Sequence, residues 1–267
     1  MIPPLALNQA TTKHWQLPEL LRGCAEVGIE GVGLWRDSVA GTGLARAAGL
    51  VRASGLMVTS LCRGGFFTVP DGSRADNRRA VEECHALDCP VLVLVCGGIP
   101  AGSTDVAGAR ARVRDEIAAL APYAASAGVR LAVEPMHPMF CSDRGVVSTL
   151  GQAIDLAAPH PPAQVGVVVD TYHVWWDPRV LPEIARAAGR IALVQVSDWI
   201  TPLPAGALLG RAHVGDGCID TRGLVDAAYA AGYDGLVEVE IFNESVWSAP
   251  GEQTVATVVQ RHRQVYG

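Results

Sequence analysis

The sequence predicts an α/β protein built as a single (β/α)8 TIM barrel, on the strength of three observations. Strand-like runs alternate with alanine-rich amphipathic stretches along all 267 residues, which is the pattern of repeated βα units on a parallel sheet. Eight such units can be counted, and several strands, such as VLVLVC and VGVVVD, are continuous apolar runs typical of strands buried on both faces. A hydrophobic content of 49% is enough to fill the core of so large a domain.

The alternation assigns each element in turn. The predicted strands cover residues 5–8, 31–35, 57–62, 91–96, 130–134, 165–170, 191–196 and 236–241. The predicted helices cover residues 17–27, 76–86, 105–127, 148–157, 180–188, 221–231 and 253–266. Asp220 is a predicted N-cap, because its carboxylate can accept the free N–H groups of a first helical turn. The segment 199–217, rich in Pro, Gly and Leu, is expected to lie over the barrel mouth.

A doubly wound open sheet is the competing architecture. A sheet of that kind that binds a dinucleotide would carry G-x-G-x-x-G directly after its first strand, and this chain has no such motif there. Its glycine cluster Gly215-Asp216-Gly217 comes late and precedes the predicted helix 221–231. Since no linker or change in composition divides the chain, we expect one barrel domain over residues 1–267.

Charge and composition narrow the range of partners. The formal net charge is −6 and Lys13 is the only lysine, so we expect no nucleic-acid ligand. No apolar run reaches the ~18 residues of a membrane span, and we expect no membrane association. The seven cysteines form no C-x-x-C pair, which favours a reducing, cytoplasmic location. The oligomeric state stays open, with a homo-oligomer among the alternatives.

Oxygen-bearing side chains end four consecutive predicted strands. These residues are Glu134, Asp170, Gln195 and Glu240. The reactive groups of a (β/α)8 barrel lie at the C-terminal ends of its strands, and three carboxylates in one apolar mouth would repel each other unless protons or a cation neutralised them. A divalent metal is therefore predicted, and an oxygen-only ligand set favours Mn²⁺ or Mg²⁺, or Co²⁺, over structural zinc.

The motifs at these strand ends resemble a known family. They are LAVEP, VVVDTYHVWWDP, LVQVSDW, RAHVGDGCID and GYDGLVEVEIF. Together they are similar to the divalent-metal sugar isomerases and epimerases with a xylose-isomerase-like TIM barrel, which include ketose 3-epimerases, hydroxypyruvate isomerases and inosose dehydratases. The resemblance is strongest over residues 128–243. It implies that Glu134, Asp170, Gln195 and Glu240 bind the metal, and that Glu134 and Glu240 form the acid/base pair.

Two positions qualify this assignment. Many members of the family have histidine where this chain has Gln195, although the hydroxypyruvate-isomerase-like members have glutamine. On the last strand, Glu238 and Glu240 have the same parity and face the same side, so alternation alone cannot separate them. The alignment of GYDGLVEVE favours Glu240.

Four further side chains are candidates for substrate binding. The resemblance implies that His173 binds a substrate hydroxyl, and His137 is expected to reach the mouth as well. Arg63 and Arg211 are the cations best placed to bind a carboxylate or phosphate. The alternative for each arginine is an ion pair within the scaffold, and for His173 it is packing against the neighbouring tryptophans.

The leading functional hypothesis is a metal-dependent isomerase or epimerase of a small hydroxy-ketone or sugar, acting by proton abstraction α to a carbonyl through an enediolate. A metal-dependent dehydratase of a keto-sugar or inosose is the alternative, because the same base and metal could expel a hydroxyl as water. A non-catalytic sugar-binding barrel is the third possibility. All three imply a small-molecule sugar or keto compound as the ligand.

Overall fold

Eight parallel strands close into a barrel, as the sequence predicts. The structure is a computed structural model that describes residues 2–69, 73–204 and 206–267. The barrel strands are β1 (Leu5–Asn8), β2 (Gly31–Trp35), β3 (Met57–Gly65), β4 (Val91–Val95), β5 (Arg130–Glu134), β6 (Val165–Asp170), β7 (Ile191–Val196) and β10 (Val237–Val239). Their order around the barrel is β1-β10-β7-β6-β5-β4-β3-β2, so each strand pairs with its neighbours in the sequence and β10 closes onto β1.

Helices lie between the strands along the chain. They are α1 (Leu17–Val27), α2 (Arg36–Thr42), α3 (Leu44–Ser54), α4 (Ser73–Ala86), α5 (Val106–Ser126), α6 (Leu150–Ala157), α7 (Thr171–Val174), α8 (Val180–Arg186), α9 (Thr221–Ala230), α10 (Glu244–Ser248) and α11 (Gly251–Tyr266). The predicted N-cap of α9 is confirmed, since the Asp220 carboxylate accepts the Gly223 N–H at 2.9 Å. Within the described ranges, no helix is long and apolar enough to cross a membrane.

The structure differs from the sequence prediction between β2 and β4. Helices α2 and α3 were not predicted, because Gly41 and Gly43 interrupt the apolar period, and Gly43 separates the two helices with a φ of 86°. Strand β3 continues three residues beyond its predicted end, to Gly65. Its pairing with β4 shifts register between Leu61 and Gly64, which marks a β-bulge near the C-terminal end of the strand.

The segment 199–217 lies over the mouth, as expected. Two short antiparallel strands, β8 (Asp198–Trp199) and β9 (Arg211–Ala212), form its base. A 3-10 turn, Ala207–Leu209, connects them, and Leu208 and Leu209 line the cavity at the barrel mouth. Strand β9 thereby directs Arg211 back into the barrel, where its side chain is buried.

The predicted ligands face the barrel interior because side chains alternate between the two faces of each strand. Ala132, Val168 and Leu193 belong to one buried apolar cluster. Side chains two residues apart on a strand face the same side. Each of the three is followed two positions later by an oxygen donor, in turn Glu134, Asp170 and Gln195. The barrel interior is therefore apolar at this level and polar at the next level toward the C-terminal end.

Candidate active site

Three buried carboxylates lie at the C-terminal end of the barrel and are called the acidic centre below: Glu134, Asp170 and Glu240. They are 5%, 0% and 3% exposed, respectively. Glu134 and Asp170 end β5 and β6, and Glu240 directly follows β10. So little contact with water is unusual for carboxylates, which are seldom buried unless they are paired or bind a cation.

Burial and mutual repulsion raise the pKa values of the acidic centre. Burial raises the pKa of Glu134 well above its usual range, and the charges of Asp170 and Glu240 raise it further. Burial also raises the pKa of Glu240 to about 8, with Arg211 opposing the shift. The pKa of Asp170 is raised by burial as well, against the opposing effect of Arg211. In each group the charged form is thus disfavoured by its surroundings, and a positive charge nearby would stabilise it.

Arg211 supplies part of that compensation. Its guanidinium is buried, with Nη1 3.0 Å from Asp170 Oδ2 and 3.3 Å from Glu240 Oε2. The pKa of Arg211 is raised despite burial, because these carboxylates stabilise its charge. One guanidinium cannot balance three carboxylates, so the acidic centre retains capacity for a further cation.

His173 stands beside the acidic centre on α7. Its Nδ1 accepts the backbone N–H of His137 at 3.1 Å, and burial lowers its pKa well below the usual value. The ring is thus neutral, and its Nε2 lies 3.1 Å from Nη2 of Arg211, a group that can only donate. Glu134, Asp170 and His173 each offer a ligand atom, and these atoms lie within 4.8 Å of one another. Sequence reasoning placed His173 in substrate binding only, whereas this spacing also suits a metal.

Gln195 pairs with Asp170 in the register of β6 and β7, and its amide is oriented by Glu238. Its Nε2 donates to Glu238 Oε1 at 2.8 Å, and since a carboxylate oxygen accepts, the other end of the amide must face away. Gln195 Oε1 is buried and has no hydrogen-bond partner among the described residues. Such an orphaned oxygen costs roughly 1–3 kcal/mol, and a cation at this level would satisfy it. Glu134, Asp170 and His173 form a donor set that suits a divalent metal, whereas Glu240 lies outside this group of ligand atoms.

Glu238 has a different environment from Glu240. It accepts hydrogen bonds from Asn8 at 2.7 Å, from Ser60 at 2.9 Å and from Thr59, in addition to Gln195. We call these five side chains the Glu238 network. Glu240 lines the cavity at the mouth, whereas Glu238 is fully buried beneath it.

A cavity of about 770 Å³ opens above the acidic centre. Among the predicted site residues, those that line it are Arg63, Glu134, His173, Arg211 and Glu240. His137 packs behind this wall, with its ring centroid 5.0 Å from that of Trp199, and acts on the site through its backbone N–H. Sequence reasoning missed Arg144, Lys13 and Trp247, which also line the cavity; they lie outside the strand-end motifs, and no local signal marks them.

The buried acidic centre lies at the C-terminal mouth of a (β/α)8 barrel and opens to a cavity of small-molecule size. This is the position and form of an active site in proteins with this fold. Residues 21–264 match the family described as xylose isomerase-like TIM barrel, and the chain belongs to that family.

Two curated relatives are enzymes. The chain is 31% identical over 167 residues to a 3-dehydroshikimate dehydratase of Pseudomonas aeruginosa PAO1, a match that covers 60% of this chain and 24% of that protein. It is 27% identical over 156 residues to an inosose isomerase of Bacillus licheniformis, covering 57% of this chain and 53% of the relative. The matched region therefore spans about a quarter of the first relative and about half of the second.

Solved structures share the fold over the whole chain. Protein SMc04130 of Sinorhizobium meliloti 1021 superposes with a TM-score of 0.95 at 43% identity, covering 99% of both chains. The IOLI protein, whose structure holds a zinc atom, superposes with a TM-score of 0.83 at 20% identity, covering 98% of both chains. At the latter identity the likeness shows the fold alone.

Proposed function

We propose that this protein is a metal-dependent isomerase or epimerase of a small hydroxy-ketone or sugar, acting by proton abstraction α to a carbonyl. One observation carries the proposal: two buried carboxylates with raised pKa values, Glu134 and Glu240, line a cavity, and buried Asp170 pairs with Arg211 beside them. Groups of this kind are suited to proton transfer near neutral pH. The inosose isomerase relative supports the same reaction class.

The proposed ligands of the divalent metal are the predicted set, namely Glu134, Asp170, Gln195 and Glu240. The orphaned Oε1 of Gln195 and the charge imbalance around Arg211 support it. When bound, the cation would stabilise the negative charge that develops on the substrate oxygens. Oxygen donors favour Mn²⁺ or Mg²⁺, with Co²⁺ as a further candidate, while the zinc atom of the IOLI protein makes zinc a necessary comparison.

The two glutamates divide the proton transfer between them. Glu134 accepts no hydrogen bond from the described residues, so its carboxylate is free to remove the proton α to the carbonyl. Glu240 would then return a proton, to the opposite face in epimerisation or to the neighbouring carbon in isomerisation. The reverse division of roles is equally consistent with their positions. His173 lines the same cavity and would bind a substrate hydroxyl.

A Glu134→Gln variant tests the proposal. The amide preserves size and cannot accept a proton, so turnover should fall by about 100-fold or more. Incorporation of solvent deuterium at carbon, measured by mass spectrometry on candidate ketoses in deuterated water, reports the proton transfer itself. Exposed Glu26→Gln is the matched control. Full activity in Glu134→Gln would remove this residue from the mechanism.

A dehydratase is the second candidate, favoured by the match to 3-dehydroshikimate dehydratase. The same base would remove the α proton, and a β-hydroxyl would leave as water after protonation by the second glutamate. The deuterium experiment separates the two, since isomerisation conserves the mass of the substrate apart from deuterium, whereas dehydration removes one water. If a chelator-treated sample binds no Mn²⁺ in calorimetry, the non-catalytic sugar-binding barrel becomes the better account.

A further inference from the structure

Two arginines face the cavity on the side of β3 and β4, away from the ion pairs of Arg211. They are Arg63, at the end of β3, and Arg144, in the loop that follows β5. We call this pair the arginine arm. Arg211 already contacts Asp170, Glu240 and His173, so it has no comparable freedom to bind a new anion.

The β-bulge in β3 brings Arg63 to the cavity. In a regular strand, consecutive side chains point to opposite faces, yet Cys62 and Arg63 both line the cavity. The register shift between Leu61 and Gly64 accounts for this, because a bulge redirects the side chains around it. With regular pairing, only Cys62 of these two residues would face the cavity. The bulge places the charged side chain of Arg63 there as well.

The guanidinium of Arg63 is held by its flat face. Its central carbon lies 4.1 Å from the centroid of the Phe66 ring, and the Phe66 backbone N–H is anchored to Val95 O at 2.7 Å. Stacking of this kind leaves the N–H groups in the guanidinium plane available. Among the described residues, the Arg63 side chain has no hydrogen bond and no ion pair within 4.0 Å.

Arg144 is anchored through its backbone. Its N–H donates to Phe140 O at 2.9 Å and its carbonyl oxygen accepts from Gly97 N–H at 2.8 Å. Within the described part of the chain, its one carboxylate neighbour inside 4.0 Å is the exposed Asp143, at 3.8 Å. The side chain is therefore positioned at the rim without a strong partner.

Two cations with one weak carboxylate partner between them, Asp143 at 3.8 Å from Arg144, are unfavourable at this wall without an anion. Burial lowers the pKa of Arg63 and the charge of Arg144 lowers it further, with exposed Asp37 opposing. The nearby Arg36 shows the contrasting arrangement, since Asp76 and Glu83 both pair with it. This scaffold neutralises a structural arginine with two carboxylates, whereas among the described residues the arginine arm has only Asp143, at 3.8 Å from Arg144.

We propose that Arg63 and Arg144 bind an acidic group of the substrate, so that the substrate carries a carboxylate or phosphate in addition to its hydroxy-ketone. The inference rests on the proposed function and specifies its substrate class. The acidic centre at the cavity floor acts on the reacting carbons, while the arginine arm holds the charged end of the same molecule.

Calorimetry of the metal-loaded protein with three probes tests the inference: 2-keto-D-gluconate for the carboxylate, D-fructose 6-phosphate for the phosphate and D-fructose as the neutral ketose. At least one anionic probe should bind about 10-fold or more tightly than D-fructose. Arg63→Gln should weaken the binding of that anionic probe by about 10- to 100-fold, as expected for the loss of charge-assisted hydrogen bonds. The affinity for D-fructose should stay unchanged. Arg63→Lys should give an intermediate affinity. Arg46→Gln, which removes the same charge from the exposed face of α3, should have no effect.

Each outcome is decisive. Arginine-dependent binding of 2-keto-D-gluconate identifies a carboxylate substrate, and arginine-dependent binding of D-fructose 6-phosphate identifies a phosphate ester. Equal affinity for all three probes, or anion binding unaffected by Arg63→Gln and Arg144→Gln, overturns the inference. If Arg63→Gln lowers the unfolding temperature, Arg144→Gln on the outer loop provides the same comparison. Because binding is measured without turnover, failure here is distinct from failure of the isomerase proposal, which the solvent-deuterium experiment tests.

Discussion

Glu238 and Glu240 stand two residues apart on one strand, yet their surroundings differ. Asn8, Ser60, Thr59 and Gln195 all donate to Glu238. Glu240 instead lines the cavity, 3.3 Å from Arg211. The difference teaches that burial alone does not mark a functional carboxylate. A buried carboxylate whose hydrogen-bonding capacity is filled by the scaffold stabilises the fold, and one that faces a cavity is available to a ligand.

The largest effect should follow from Glu240→Gln. The amide cannot exchange a proton with substrate, so we expect turnover to fall by about 100-fold or more in assays with a ketose or keto acid. Because the substitution also removes one charge from the repelling acidic centre, the free energy of unfolding should change little. Activity within a few-fold of wild type would place Glu240 outside the mechanism.

Glu238→Gln, unlike Glu240→Gln, should lower the free energy of unfolding. The amide oxygen can keep the hydrogen bonds from Asn8 and Gln195, which both donate to Oε1. The NH₂ group replaces the charged oxygen that accepts from Thr59 and Ser60, at a cost of roughly 1–3 kcal/mol. Denaturant unfolding of the variant beside wild type and Glu240→Gln measures this. If Glu238→Gln is as stable as Glu240→Gln, the Glu238 network is not the structural element that its hydrogen bonds indicate.

The same variant should also weaken metal binding. In Glu238→Gln, Nε2 of Gln195 donates to a neutral oxygen instead of a charged one, so the orientation of the Gln195 amide is held less firmly. Removal of a residue that orients a metal ligand typically lowers affinity at least ~10-fold, and we expect about that for Mn²⁺ in calorimetry. Glu26→Gln serves as the control. Unaltered Mn²⁺ affinity would show that Gln195 is oriented by other contacts or does not bind the metal.

The smallest predicted effect concerns His262, a buried histidine near the N-terminal end of β1 that has a hydrogen bond to only one of its two ring nitrogens among the described residues. His262 Nε2 donates to Pro3 O at 2.8 Å, while its Nδ1 is buried without a partner among the described residues. Burial lowers the pKa of His262 from its usual value of 6.5. Below about pH 6.5 the unfolded chain therefore binds a proton that the folded chain does not, so the free energy of unfolding falls with acidification, by at most ~1.4 kcal/mol per pH unit.

His262→Gln should reduce that dependence, because the glutamine amide can keep a hydrogen bond to Pro3 and does not titrate. Denaturant unfolding between pH 5 and 8 gives the slope for each variant. Exposed His14→Gln should leave the slope as in wild type. An unchanged slope in His262→Gln would mean that other groups account for the pH dependence.

The sequence predicts most of the fold because continuous apolar runs mark the barrel strands. It also places Glu134, Asp170 and Glu240 at the ends of strands, which is why their convergence could be expected from topology alone. The hydrogen bond between Gln195 and Glu238 depends on register between β7 and β10, which periodicity does not reveal.

Other features of the site depend on contacts between distant loops. Arg144 reaches the cavity only because its loop is anchored to Gly97, and Arg63 reaches it through a bulge that an unbroken pattern would not indicate. Arg211 was predicted as a cation for an anionic ligand, yet its buried guanidinium pairs with Asp170 and Glu240. Its partners follow from the path of β8 and β9 over the mouth.

Anomalous diffraction from crystals grown with Mn²⁺ tests the central claim most directly. The account predicts one strong peak at the mouth of the barrel, with oxygen atoms of Glu134, Asp170, Gln195 and Glu240 about 2.0–2.3 Å from it. A peak bounded by other residues, or none in a crystal of the fully loaded protein, would contradict the proposal that these four side chains share a divalent cation.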